Sequence, residues 1–300
     1  MNAQLKPVVD SDIAQHRFHM RLNAFNARRL KPSLPTFAWR EQLTHDLQLQ
    51  IEEGIYLEVE RENGRMYLAD MPDDADSFMS WFESLREKGP GQNDALFPWI
   101  ANEASLADMR WFLAQEVAGE AGFDDLVALT QLQFPSIPKM EMARNYWDEM
   151  GRGHPQGMHG AMLANTAREF GIGASPETTV WESLALANVM AGLAINRRYA
   201  FHSVGALGVI EMTAPGRVSL VNEGLKRLGV SASGRQYFQL HAGLDIRHSE
   251  AWNREVIYPL VKNDMACAVA IAEGALMRLQ CGQRCFARYR AEFDVEFPIN

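Results

Sequence analysis

The feature that most constrains this fold is a series of helix-period segments that runs from residue 76 almost to the end of the 300-residue chain. Each segment covers roughly 12–25 residues, repeats its apolar positions at helical spacing, and ends at glycine or proline. The breaks fall at residues 89–91, 119–122, 135–138, 151–155, 171–176, 214–216 and 229–234. Residues 76–280 contain no internal repeat and no linker-like stretch. The pattern predicts an all-α protein built as a helical bundle.

The first 75 residues differ from the rest and predict an extension of this bundle. Residues 12–30 and 39–54 have helical spacing. Asn63-Gly64 lies between the alternating runs 55–60 and 66–69, and this dipeptide favours a tight turn between strands, so we predict a small β-hairpin there. We therefore expect an N-terminal extension over residues 1–75, which is a candidate dimer contact, and a helical bundle over residues 76–300.

Composition excludes several classes of protein. The chain is 47% hydrophobic and 22% charged, as is ordinary for a soluble globular protein, and its net charge of −9 argues against nucleic acid or an anionic membrane as partner. It has no signal-peptide-like start and no uninterrupted apolar segment long enough to span a bilayer. Cys267, Cys281 and Cys285 are too few for a disulfide framework. We expect a reduced, cytoplasmic protein.

A histidine-rich stretch near the end of the chain is the first candidate metal site. If residues 237–248 form a helix, Asp245 lies roughly 40° from His241 and His248 lies roughly 20° to the other side. Two imidazoles and a carboxylate on one stripe are ligands that first-row metal ions accept. The alternative is a solvated polar face. The neighbouring Leu240 and Leu244 argue that this helix is partly buried, where polar groups need partners.

Two glutamates interrupt apolar runs in other predicted helices. Glu116 lies within the run 111–118, and Glu211 follows six apolar or glycine residues. A carboxylate in such a position is costly unless it is paired or bound to a metal. Both glutamates are therefore candidate ligands on helices that face the histidine stripe.

Glu149 and His159 form a third candidate pair. On one unbroken helix they would lie about 80° apart, but Gly151, Gly153 and Pro155 lie between them. The break lets Glu149 end one helix and His159 begin the next, so that the two side chains converge. The alternative for each of the three glutamates is an ordinary salt bridge, for which the sequence offers Arg144, Arg152, Arg197 and Arg198.

Four stretches taken in order resemble the haem-oxygenase-like diiron oxidases and oxygenases, a family of iron-containing redox enzymes. They are FLAQE ending at Glu116, NYWDEMG at 145–151 followed by His159, GALGVIE ending at Glu211, and the spacing H-x3-D-x2-H-x3-W that begins at His241. The resemblance implies a haem-oxygenase-like seven-helix bundle that holds two non-haem irons. The ligands it implies are Glu116, Glu149, His159, Glu211, His241, Asp245 and His248.

The resemblance also implies a function. Some members of the family cleave or decarboxylate fatty acids or amino acids, and others oxygenate the nitrogen of an amine or guanidine. The presence of both His241 and His248 beside His159 is similar to the N-oxygenating branch. We therefore expect a diiron oxidoreductase that uses O2 to N-oxygenate an amine or guanidine of a small biosynthetic metabolite. The sequence has no flavin or iron–sulfur motif, so electrons would come from an external donor, and the surplus N-terminal helices favour a homodimer.

Two other functions remain open. The same irons could serve oxidative decarboxylation or C–C cleavage of an amino or fatty acid. A metal-free or haem-binding relative of the same bundle would instead act as a carrier or in cofactor maturation. Haem would need an accessible histidine early in the chain, and the candidates are His16, His19 and His45, all of which we otherwise expect to be solvated.

Overall fold

The computed structural model describes the backbone of residues 5–119, 122–173 and 175–296, with the side chains in these ranges except those of residues 5–10, 119, 123 and 244–246. All regular structure in these ranges is helical, which confirms the predicted all-α class. The α-helices, in chain order, are α1 (Leu5–Leu30), α2 (Trp39–Gly64), α3 (Ala75–Lys88), α4 (Leu96–Asn102), α5 (Leu106–Gly119), α6 (Phe123–Thr130), α7 (Ser136–Glu149), α8 (His159–Glu169), α9 (Trp181–Ile195), α10 (Ala200–Arg227), α11 (Gln236–Trp252), α12 (Tyr258–Asn263) and α13 (Ala266–Glu292). A π-helical turn, Asn253–Ile257, joins α11 to α12.

The β-hairpin predicted at residues 55–69 is wrong, because α2 continues to Gly64 and a 3₁₀ turn, Arg65–Leu68, follows it. The buried residues of α2 recur at helical spacing, so burial of one helix face outweighs the local alternation. They are Leu49, Glu53, Tyr56, Leu57, Glu60 and Gly64. Asn63-Gly64 lies at the end of this helix, where the same residue types are common.

The number of helices also differs from the seven that the resemblance implies, since α3 to α13 all lie at or beyond residue 75 in the described chain. Glycine and proline end several helices where we predicted, but the break at 214–216 is wrong. Helix α10 runs through Pro215. Proline has no N–H, so α10 loses the hydrogen bond to the carbonyl of Glu211, four residues earlier. Helix α10 nevertheless continues, and it packs extensively against α11 and α13.

The centre of the fold is a crossing of α10 and α13 in backbone contact. A Cβ added at Gly205 would lie 1.8 Å from the carbonyl oxygen of Ile271, and one added at Gly274 would lie 1.9 Å from that of His202. Only glycine permits this approach. Trp252, the last residue of α11, is fully buried in the same core. The crossing fixes α10, which carries Glu211, against the other central helices.

The N-terminal helices pack onto this core through α1 against α9 and α2 against α13. Two buried glutamates of α2 pair with arginines of the neighbouring helices. Arg29 donates to Glu53 at 2.5 Å, and Arg284 donates to both carboxylate oxygens of Glu60 at 2.8 and 2.9 Å. The extension is thus held by charged as well as apolar contacts. The domain division at residue 75 stays a prediction.

One segment of the described chain, Arg197–Arg227, is long and apolar enough to cross a membrane by length and composition, which our sequence analysis did not expect. It contains α10. In the fold 56% of its apolar window is buried, it packs against α11 and α13, and it carries Glu211 and Arg217. We interpret it as the central helix of the core.

We predicted that His19 is solvated, but this prediction is wrong. The side chain is buried, with 1% of its surface exposed. Its ring stacks on Trp181 with centroids 5.8 Å apart, and its Nδ1 lies 3.4 Å from the amide nitrogen of Asn188. Burial, followed by the charges of Arg284 and His16, lowers the pKa of His19 to about 3. An enclosed ring of this kind is not an accessible axial ligand for haem.

Folding stability should therefore fall as the pH drops from 7 to 5. Below pH 6.5 the unfolded state binds a proton on His19, whereas the folded state, with a pKa of about 3, does not. The free energy of unfolding that His19 contributes falls by about 2 kcal/mol by pH 5. Urea unfolding of the wild type and of His19→Phe, which keeps an aromatic ring, at both pH values measures it. Relative to the wild type, the free energy of unfolding of His19→Phe should be more favourable at pH 5 than at pH 7. The same difference in unfolding free energy at both pH values would contradict this account.

Candidate metal centre

Five of the seven predicted ligands lie together in the interior of the bundle. The ligand atoms of Glu149, His159 and His241 all lie within 4.8 Å of one another, and so do those of Glu149, Glu211 and His248. Glu149 belongs to both groups, so the two form one continuous cluster. All five side chains are buried. The cluster could hold one metal ion in each group.

Four helices bring these side chains together. Glu149 is the last residue of α7, and His159 is the first residue of α8, as the break between them predicts. Glu211 lies in the middle of α10, and His241 and His248 lie two turns apart on α11. The ligands are therefore placed by helices and not by mobile loops, which favours a fixed arrangement.

The loop between α7 and α8 depends on Gly151. This residue has φ of +62°, and a Cβ at this position would lie 2.4 Å from the carbonyl carbon of Gly157. Glycine is therefore needed both for the left-handed backbone and for the close contact. The contact closes the loop on itself and brings the end of α7 next to the start of α8.

His241 is oriented by its own helix. Its Nδ1 lies 2.8 Å from the carbonyl oxygen of Tyr237, and because a carbonyl only accepts, Nδ1 carries the proton. This leaves Nε2 with a free lone pair. Burial, followed by the neighbouring His159, lowers the pKa of His241 to about 4, so the ring is neutral at pH 7. A neutral imidazole whose other nitrogen is hydrogen-bonded is a typical metal ligand.

His248 is held by a carboxylate that the sequence analysis did not single out. Its Nε2 lies 3.1 Å from Oδ2 of Asp148, a side chain that also accepts from Arg152 at 2.7 Å. Its Nδ1 lies 3.6 Å from Glu211 and 3.9 Å from Glu149. Burial would lower the pKa of His248, but Glu211, then Asp148 and Glu149, raise it to about 9. The three carboxylates around His248 therefore favour a positive charge there, either a proton on the ring or a metal ion beside it.

Buried nitrogen atoms without hydrogen bonds are most evident at His159. Its Nδ1 touches the Glu149 carboxylate, yet neither of its ring nitrogens makes a hydrogen bond, and Nδ1 of His248 makes none either. Burial is the main reason that the pKa of His159 falls to about 4. Buried polar atoms without partners are rare in folded proteins, and a bound metal ion would satisfy these nitrogens.

Glu211 is positioned by Asn145, whose side-chain amide donates to its Oε1 at 2.7 Å. Asn145 lies one turn before Glu149 on α7, so the same helix supplies one ligand and orients another. The sequence carries a signal for this role that we did not use. Asn145 is four residues before Glu149, which places both side chains on one face of the helix.

The other two predicted ligands are placed differently. Glu116, on α5, lines the same cavity as Glu149 and Glu211 but belongs to neither group, and its Oε1 accepts from the hydroxyl of Tyr289 at 3.2 Å. Burial raises the pKa of Glu116, although the charge of Arg278 opposes this. Asp245 lies on α11 between His241 and His248, and its side chain is outside the described residues.

The arginines that we considered as salt-bridge partners bind elsewhere. Arg144 pairs with Glu141, Arg152 with Asp148, Arg197 with the carbonyls of residues 129, 130 and 132, and Arg198 with Glu58. Ordinary salt bridges to these arginines are therefore not the reason that the ligand carboxylates are buried.

A cavity of about 160 Å³ lies directly beside the cluster. Glu149, Glu211 and His241 form part of its wall. Much of the remaining wall is apolar and comes from α4, α5, α8, α10, α11 and α13, including Phe97, Phe112, Leu163, Val221, Phe238 and Phe286. A largely apolar cavity with a few polar groups is the usual form of a small-molecule site.

Comparison with family models identifies the chain. The model of the iron-containing redox enzymes, which have a haem-oxygenase-like fold, matches residues 110–283, more than half of the 300 residues. The chain belongs to this family. No curated protein matches it.

The donor set fits the iron that the family name implies. Glu149, His159 and His241 are two imidazoles and one carboxylate, the set that non-haem Fe(II) oxygenases use. Glu211, His248 and the shared Glu149 offer a second set richer in carboxylate. Together with the family assignment, this supports an iron-containing oxidoreductase.

Replacing the shared ligand should have the largest effect on metal binding. We expect Glu149→Gln to lose metal from both groups, whereas His241→Ala and His248→Ala should each weaken one group. Anaerobic loading with Fe(II), desalting and elemental analysis measure this. The matched control is Glu182→Gln, a buried carboxylate on α9 outside the cluster, which should bind metal as the wild type does. Equal metal content in Glu149→Gln and wild type would contradict the assignment.

Proposed function

We propose that this protein is a non-haem diiron oxygenase that activates O2 and N-oxygenates an amine or guanidine of a small biosynthetic metabolite. The observation that carries the proposal is the pair of three-residue groups that share Glu149. A carboxylate common to two sites is suited to bridging two ions. Two irons would supply the electrons that O2 accepts, and an external donor would restore them.

The chain's own residues would position the metals and the substrate. His241 is oriented by the Tyr237 carbonyl, His248 by Asp148, and Glu211 by Asn145. Partners of this kind hold ligands in place and maintain their protonation. We propose Glu116 and Asp245 as additional ligands. Glu116 lines the cavity from α5, and residue Asp245 lies on α11 between His241 and His248.

The largely apolar cavity beside the cluster is suited to an oxygenase. It would exclude bulk water from the reacting group, which protects reactive species from side reactions.

A cytoplasmic location is part of the proposal, because Cys267, Cys281 and Cys285 are all free thiols. Oxidative C–C cleavage of an amino or fatty acid is the second candidate, since the same ligand set and cavity would serve it.

Oxygen consumption tests this function. Fe(II)-loaded wild type, supplied with a reductant and screened against amines, guanidines and amino acids, should consume O2 and form hydroxylamine, nitroso or nitro products. Glu149→Gln should not consume O2, and Glu182→Gln should match the wild type. Release of CO2 or a shortened carbon chain would assign the protein to the second candidate. An absence of iron-dependent oxygen consumption would exclude both candidate functions.

The proposal includes a homodimer formed through α2. An apolar ridge runs along the outer side of this helix, with a residue every four positions, and each is about half exposed: Leu43, Leu47, Ile51, Ile55 and Val59. Ridges with this spacing pack into the matching grooves of another helix at a crossing angle of about −50°. A second copy of α2 presents the same ridge and groove.

Charge on this ridge should dissociate the dimer. Ile51→Glu would bury a carboxylate at the centre of the contact, which is costly, so we expect it to be a monomer in light scattering coupled to size exclusion. The control, Ser80→Glu on the exposed side of α3, should remain a dimer. A monomeric wild type, or a dimeric Ile51→Glu, would contradict this contact.

A further inference from the structure

Two arginines in the cavity wall have no role in the metal cluster. They are Arg217 on α10 and Arg278 on α13. Arg217 donates to the hydroxyl of Thr213 at 2.9 Å, and Nε of Arg278 is buried without a hydrogen-bond partner. Neither guanidinium forms an ion pair with any side chain in the described part of the chain. Both side chains are partly buried, and a cation withdrawn from water without a paired anion is costly.

The charges around Arg217 do not balance it. They come from Arg278, Glu116 and Asp94, and Asp94 is already paired with Arg290. Glu116 also acts on Arg278, so two guanidinium groups share one carboxylate. Burial, followed by the charge of Arg278, lowers the pKa of Arg217 to about 9, which leaves it charged at pH 7. This part of the cavity therefore carries a net formal charge of about +1.

The arginines lie at a distance from the clustered ligands. The charges that act on Arg217 include that of Glu116, which we propose as an additional ligand, but none from the five clustered residues Glu149, His159, Glu211, His241 and His248. Arg217 follows Glu211 by six residues on α10, about 9 Å along the helix axis. Its Cζ lies 5.9 Å from the ring centroid of Phe97 and 5.3 Å from that of Phe286. The cavity thus has a metal-facing side and a cationic, aromatic side.

Helix α13 makes room for the second guanidinium. Gly282 lies one turn after Arg278, and a Cβ there would lie 2.8 Å from its Nη1. The same Cβ would lie 3.7 Å from the ring of Phe286, on the following turn. A larger residue at 282 would displace the guanidinium from this place.

We propose that Arg217 and Arg278 bind the carboxylate of the substrate, and that the substrate is a carboxylic acid with an apolar body. A single carboxylate matches the unbalanced charge, and guanidinium groups bind carboxylates through paired hydrogen bonds. The body would lie along Phe112, Leu163 and Val221, which line the same cavity.

The far end of such a substrate reaches Glu211 and His241. Reaction at that end rests on the proposed function, whereas binding of the carboxylate does not. A carboxylate held by the arginines is kept away from Glu211 and His241. This arrangement favours oxygenation of a group at the opposite end over removal of the carboxylate itself.

Ligand binding to the metal-free full chain tests the inference. Hexanoate and octanoate, titrated by calorimetry, should bind the wild type at least roughly tenfold more tightly than hexanamide, because only the acids offer a charge-assisted pair. Arg217→Met and Arg278→Met should each remove this preference. Hexanamide should bind the variants and the wild type alike.

Thermal unfolding separates a ligand-binding role from a structural one. Removal of a partly buried cation that has no paired anion should leave the melting temperature of Arg217→Met and Arg278→Met unchanged or raised. The control is Arg227→Met, also on α10. Arg227 donates to the carbonyls of Ala101 and Ala104, so this variant should melt at a lower temperature and keep the preference for carboxylates.

Two results would overturn the inference. One is equal stabilisation of wild-type protein by hexanoate and hexanamide, which requires no variant to fold. The other is a lowered melting temperature in both cavity variants with the carboxylate preference intact. Carboxylate binding without iron-dependent oxygen consumption supports the inference and removes the proposed function. Oxygen consumption without any carboxylate preference removes the inference alone.

Discussion

The structure depends on the burial of a charged cluster around Glu149. This carboxylate, Glu211 and three imidazoles lie in the interior, where unpaired charge is costly and unpaired polar atoms are rare. Arg144, Arg152, Arg197 and Arg198 bind elsewhere, and both nitrogens of His159 lack hydrogen bonds. A bound metal ion would lower this cost, because it would supply positive charge and accept the imidazole lone pairs. The fold is arranged to hold the cluster on four helices.

Several parts of this site were predictable from the sequence because they depend on local spacing. Gly151, Gly153 and Pro155 let Glu149 end α7 and His159 begin α8, and both were predicted from these breaks alone. His241 and His248 share a helix face because of their separation. Glu211 stands out by its isolation in an apolar run.

Other parts depend on contacts between distant segments and left no local signal. Arg217 and Arg278 are 61 positions apart and meet only because α10 and α13 cross at Gly205 and Gly274. The predicted hairpin failed for a related reason. Asn63-Gly64 is a strong local turn signal, but the packing of one face of α2 on the core determines its conformation.

Crystallography of Fe-loaded protein at the iron absorption edge tests the central claim most directly. The account predicts two anomalous peaks, both within bonding distance of the Glu149 carboxylate, with His159 and His241 on one and His248 on the other. Peaks at another location, or no peak beside Glu149, would contradict it.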